Sequence, residues 1–247
     1  MIVVGLTLMV MAIFPYMGEM IASKADMMKS LPEGLTKAMS LDPDSWNTIL
    51  GLCNVYFPIY IVVMMSIFAA STGASIVSNE EKNKTAEFLL TKPLSRKDIF
   101  ISKMVSLFSL VLLIFIIQTL VAFIGIRSFG ESTASSNLFF KMQFNGLMLM
   151  LFFTSICVLI SMLMTAKSNF MGLVVGIVFG SYFIDAISKV TDKTNWLGYF
   201  SPYHYFGFQI SNPDYGFDFV KMGLMVLVCF LLLYLSYFLY NKKDISA

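Results

Sequence analysis

The sequence predicts an all-α integral membrane protein with six transmembrane helices. Two observations carry that expectation: a composition shifted far from that of a soluble domain, and the gathering of its apolar residues into long blocks without charge. Hydrophobic residues make up 57% of the 247 and charged ones 13%, with a mean hydropathy of +0.78. Soluble domains average about 45–50% apolar and about 25% charged. Leu50–Val77, Met104–Ile126, Met142–Ala166 and Met222–Tyr240 contain no Asp, Glu, Lys or Arg. A helix crossing the hydrocarbon core needs roughly 20 such residues, and an open strand could not satisfy its backbone there. One block of this kind could be a buried helix of a large soluble protein; four in so short a chain argue against it.

Taken in order, the spans are expected at about 1–22, 50–77, 103–126, 142–166, 169–188 and 219–240, in one transmembrane domain covering 1–247. The first is the apolar run Met1–Gly18, with Glu19 near its far end. It lacks the basic n-region of a signal peptide, and its apolar run exceeds the 7–15 residues of an h-region, so it reads as a retained span with no interfacial helix before it. The fifth rests on the weaker run Phe170–Ile184. Cys53, Cys157 and Cys229 all fall inside spans without metal-ligand spacing, and read as small apolar side chains. The 19 methionines are scattered through the spans as packing filler. No basic stripe of the kind that binds nucleic acid is visible.

Six spans put both termini on one side. That side holds 78–103, the turn Lys167–Asn169 and the tail Asn241–Ala247, with nine basic and five acidic residues; the other, longer side holds eight and ten. The density of Lys and Arg close to span ends favours the first side as cytoplasmic.

The connection between the second and third spans is the most informative stretch. Ser78 with Glu81 has the spacing of a capping box, so a helix is expected to restart there. Glu80 and Lys84 stand four apart in the favourable order. Ala86, Phe88, Leu89 and Leu90 form an apolar end, and Pro93 disfavours helix at Lys92. Ser95 with Asp98 then caps a helix that runs on into the third span. The result is a short amphipathic helix at the membrane surface, which is either a plain connector or a docking element for a cytosolic partner.

The pattern Glu-Glu-Lys-x-Lys-Thr-x-Glu-Phe-Leu-Leu-x-Lys-Pro-Leu-Ser-Arg-x-x-Ile over 80–99 resembles the segment between the second and third spans of type-2 ATP-binding-cassette (ABC) exporter permeases. The six-span layout, Leu31–Leu35 in the first outer loop and Tyr199–Phe206 before the last span are similar to the same family. The resemblance implies a permease subunit that encloses a translocation path as a homo- or heterodimer in a prokaryotic cell membrane. It implies that 79–92 is a coupling helix, with Glu80, Glu81, Thr85, Glu87, Phe88, Leu89 and Leu90 facing a separate ABC ATPase subunit, present in two copies. Pro93 and Arg96 would fix the return to the membrane. ATP and Mg²⁺ would be held by that ATPase, and this chain would carry no catalytic residue, metal or cofactor of its own. One departure is that family members usually begin with a basic amphipathic helix before the first span, which is not found here.

Three further features stand out. Gly172, Gly176 and Gly180 repeat at intervals of four in the fifth span, a small-residue face for close helix packing, within one subunit or in a dimer. Ala69–Ser75 is a similar signal in the second span. Seven aromatics lie between Trp196 and Phe208, by default an interfacial belt. The family resemblance implies instead a re-entrant hairpin whose Tyr199, Phe200, Pro202, Tyr203, Tyr205 and Phe206 cap the outer end of the path. Gly198, Pro202 and Gly207 are expected to break any continuous helix there. His204, the single histidine, reads as structural, and Asp185 and Glu19 read as solvated span-end acids or as parts of the substrate path. No Gly-rich phosphate loop is present, so an ATP-driven function needs a second chain. The alternatives are a membrane-embedded hydrolase, for which no second His or Ser–His pair is evident, and an ion-coupled secondary transporter, which would place charge near mid-membrane.

Overall fold

In the computed structural model, the residues described are 5, 7–9, 12–13, 34, 36, 56–82, 95–129, 135–164, 170–206, 208, 216 and 218–242. Among them there are helices and no strands. A π-helical turn, Phe57–Val62, runs directly into α1, Val63–Lys82. Pro58 stands at the start of that turn, where its missing N–H matters least. The other elements are α2 (Arg96–Phe129), α3 (Ser136–Leu163), α4 (Phe170–Ser188), a 3₁₀-helix (Asp192–Phe200), the short α5 (Pro202–Tyr205) and α6 (Phe219–Lys242).

Five helical stretches are long and apolar enough to cross a membrane: Phe57–Ser75, Arg96–Ser128, Ser136–Leu163, Phe170–Ser188 and Phe219–Lys242. They correspond to the second to sixth expected spans. Most of the first falls outside the described residues, although Gly5, Thr7, Leu8, Met9, Ala12 and Ile13 are helical. With 34 residues, α2 is about 51 Å long at 1.5 Å per residue, against a hydrocarbon core of about 30 Å. Its charged ends therefore lie beyond the apolar stretch that the bilayer covers.

Two boundaries bear on function. The helix start expected at Ser95 is present: Asp98 N–H donates to Ser95 Oγ at 3.1 Å, and Ser95 Oγ donates to Asp98 Oδ2 at 2.5 Å. The restart expected at Ser78 does not occur. α1 continues unbroken through Ser78–Glu81 to Lys82, since a capping Ser must leave helical geometry and no Gly or Pro there forces it to.

The chain forms two compact units. The first comprises Met1–Met65, Phe115–Leu149 and Phe179–Asp218. Within it α2 and α3 run antiparallel: Phe123 meets Phe139 and Phe140 at 5.9 and 5.5 Å, and Arg127 Nη2 donates to Ser136 Oγ at 2.8 Å beside their connection. Gly146 on α3 admits the Phe57 ring so closely that a Cβ would stand 3.0 Å from it. The second unit comprises Ser66–Ile114, Met150–Val178 and Phe219–Ala247. There α1 approaches α2 and α3 at Gly73, where a Cβ would lie 3.0 Å from Val158 and 3.4 Å from both Leu107 and Thr154. Ala69, Ala70 and Ala74 are buried beside it, so the small residues of Ala69–Ser75 serve close helix packing.

Candidate functional site

Three regions hold the residues that the sequence singles out. At the first, Glu80 and Glu81 stand on the last turn of α1, and of these two only the backbone course is described. Thr85, Glu87, Phe88, Leu89, Leu90 and Pro93 lie outside the described residues. Arg96 opens α2, and its Nη1 donates to the carbonyl of Asn241 at 3.2 Å, in the last turn of α6. A cation there complements the partial negative charge of a helix C-terminus. One turn further along α2, Phe100 packs against Tyr237 at 5.6 Å and Tyr240 at 5.5 Å, and the Lys103 ammonium stands 5.9 Å from the Tyr240 ring centroid. The end of the connection is thereby fastened to α6 by a hydrogen bond and an aromatic cluster. Tyr237, Tyr240 and Asn241 carry no sequence signal for this role, because their partners are more than 130 positions away.

At the second region the chain leaves α4, forms the 3₁₀-helix, and turns back at Ser201. Thr194 Oγ1 donates to the carbonyl of Ile187 at 2.9 Å, holding the start of the 3₁₀-helix to the end of α4. Ser201 Oγ donates to the carbonyl of Ser181 at 2.7 Å and accepts from Tyr203 N–H at 3.2 Å, which caps α5. Pro202 then occupies the first position of α5, where its fixed φ fits. The break thus comes at Ser201, and the 3₁₀-helix runs through Gly198 instead of ending there. Gly198 serves close approach: a Cβ on it would stand 2.6 Å from His204 Nδ1 and 3.0 Å from Ser188 Oγ.

The aromatics of this region divide into two sets. Tyr203, Phe206 and Phe208 are buried, with Tyr203 edge-on to Tyr182 at 5.7 Å and Phe208 against Phe57 at 5.9 Å. Burial pushes the Tyr203 phenol well above its ordinary value, and the nearby Tyr182 and Asp185 add to the shift. Trp196, Tyr199 and Phe200 are exposed, and Tyr205 less so, its hydroxyl donating to the carbonyl of Tyr199 at 3.1 Å. His204 lies edge-on to the Tyr199 and Tyr205 rings at 5.4 and 5.8 Å. Asp185 is not a solvated acid: it is 5% exposed, its Oδ2 accepts from Lys189 Nζ at 2.7 Å, and its Oδ1 is buried without a partner among the described residues.

The third region is the glycine face of α4. Around the Cβ positions of Gly176 and Gly180 there is open space, with no described atom within 4 Å. The described residues therefore do not include a helix packed closely on either glycine. Among those residues no three His, Cys, Asp or Glu side chains converge as metal ligands do.

A model of the family described as ABC-2 family transporter protein matches residues 1–245. No curated protein and no solved structure matches the chain.

Proposed function

The chain belongs to the ABC-2 transporter family, as a multi-pass membrane protein, and from that premise we propose that it is the permease subunit of an ATP-driven exporter. In this reading, two permeases, identical or similar, enclose the path in a prokaryotic cell membrane, with both termini cytoplasmic. Two ATPase subunits hold ATP and Mg²⁺ and drive the path through the 79–92 segment. The observation that carries the reading is the family match over nearly the whole chain. The fastening of α2 to α6 supports the coupling role. A displacement of 79–92 would reach Ser95 and Arg96, and from there the last turn of α6 through Asn241, Tyr237 and Tyr240. Glu80, Glu81, Thr85, Glu87, Phe88, Leu89 and Leu90 would face the ATPase.

The open face at Gly176 and Gly180 supports a second permease at α4, because glycines let helix backbones approach closely. The return of Ser201 to the level of Ser181, two turns inside the end of α4, supports a re-entrant cap built from Tyr199 to Phe206.

Full-length tagged protein solubilised from its native membrane is expected to bring an ABC ATPase with it. Glu87→Lys or Leu89→Trp is expected to uncouple ATP hydrolysis from transport while leaving the permease folded. A complete, active transporter purified without any ATPase would overturn the reading.

A further inference from the structure

The three exposed aromatics of the 3₁₀-helix stand at a definite depth. Ser201 is bonded to Ser181, seven residues before the end of α4, which is about 10 Å back along a helix rising 1.5 Å per residue. α4 itself is 19 residues long, or about 28 Å, close to the thickness of the hydrocarbon core. Phe200, next to Ser201, therefore lies about 10 Å inside the end of a helix long enough to cross the membrane, yet it is 74% exposed.

The polarity of the element is graded along the same direction. Asp192 and Lys193, both exposed, stand at its start beyond the end of α4. Trp196 and Tyr199 follow, 59% and 65% exposed, and as residues i and i+3 of a 3₁₀-helix they share one face. Phe200 comes last, its ring edge-on to Trp196 at 6.2 Å. The order is thus charge, then amphipathic rings, then a plain hydrocarbon ring. That is the order of a bilayer from water through headgroups to acyl chains, where Trp and Tyr concentrate at the boundary. The element is also held rigidly. Gly198 sits tight on His204, Tyr199 receives the Tyr205 hydroxyl, and Thr194 is bonded to Ile187.

We propose that the Trp196–Tyr199–Phe200 face is a membrane-surface anchor inserted at the boundary between lipid headgroups and acyl chains, while Tyr203 and Phe206 face the protein. The inference rests on the membrane-spanning fold and not on the transport reading; it assigns Tyr199 and Phe200 to lipid and leaves Pro202, Tyr203, Tyr205 and Phe206 to the proposed cap, and transport can fail without it.

The sequence has two tryptophans, so Trp46→Phe leaves Trp196 as the sole tryptophan of the full chain, read by excitation at the red edge where tyrosine does not absorb. In phosphatidylcholine vesicles, lipids brominated near the top of the acyl chain are expected to quench its fluorescence about twofold, and deeply brominated ones less, as for a face buried roughly 5–10 Å into the boundary. Aqueous acrylamide is expected to quench it weakly. Should Trp46→Phe not fold, the difference between the wild-type chain and Trp196→Phe gives the same reading. Strong acrylamide quenching with none from bromolipid would place Trp196 in water and overturn the proposal. Protection from both would show a protein surface covering it, such as a second copy of the chain, and would overturn it equally.

Discussion

Alanine at Gly198 tests the packing of the 3₁₀-helix against α5 most directly. The new Cβ would lie 2.6 Å from His204 Nδ1, 3.0 Å from His204 Cε1 and 3.0 Å from Ser188 Oγ. Ordinary contact begins near 3.5 Å, so the neighbours must give by about 0.9 Å. Neither is free to do so. The His204 ring is flanked by Tyr199 and Tyr205, and Ser188 Oγ donates to the carbonyl of Asp185 at 2.7 Å. Lifting the 3₁₀-helix instead would stretch the bond from Ser201 to Ser181. Overpacking of this kind costs about 1–3 kcal/mol. The backbone there is helical, so alanine gains about 0.5–1 kcal/mol over glycine from the unfolded chain. The net expectation is a local destabilisation of about 1–2 kcal/mol, equivalent to a roughly 5–30-fold larger open population of this packing. Hydrogen exchange at the Ser201 and Tyr203 amides, bonded to Gly198 O and Ser201 Oγ, reads that opening. His204→Ala removes the two nearest ring atoms and should relieve most of the effect in the double variant, a coupling of at least about 0.5 kcal/mol. Unchanged exchange in Gly198→Ala, or an equal effect with and without His204, would refute the steric argument.

Two other expectations follow from buried polar groups. Gln118 on α2 is 0% exposed, and neither of its amide atoms has a partner among the described residues. Gln118→Leu keeps a similar volume and removes the unpaired amide, so it is expected to stabilise the protein by about 1 kcal/mol against unfolding in mixed micelles; a loss of stability would show a hydrogen-bonding role. Tyr203 has its phenol pKa raised by burial. Its contribution is therefore fully present below the unfolded value of about 10 and is lost as pH rises beyond it, because only the unfolded chain ionises readily. Unfolding followed from pH 8 to 12 is expected to show an extra alkaline loss in the wild type that Tyr203→Phe lacks; equal profiles would contradict the burial argument.

The second to sixth spans could be read from the sequence because hydrocarbon imposes a local requirement: every residue in a window of about 20 must tolerate lipid. The Ser95 cap was legible for the same reason, since Ser95 and Asp98 need only each other and the backbone between them. The spacing at Ser78 misled because a capping pair is also compatible with helix interior, and nothing local decides between the two. Between the 3₁₀-helix and α5 the break comes at Ser201, directly before Pro202 as expected, and not at Gly198; what the sequence did not show is that Ser201 gains a partner in Ser181 twenty positions earlier.

The sequence by itself thus determined the membrane class, the position of the spans and the region where a coupling segment is expected, all of them consequences of neighbours along the chain. Only the tertiary structure decided which aromatics of 196–208 turn inward, that Asp185 is buried beside Lys189, and that Arg96 ends on the backbone of Asn241. Each of these depends on which distant residue arrives at a given surface, and apolar helices of nearly uniform hydrophobicity carry no periodic mark that would say so.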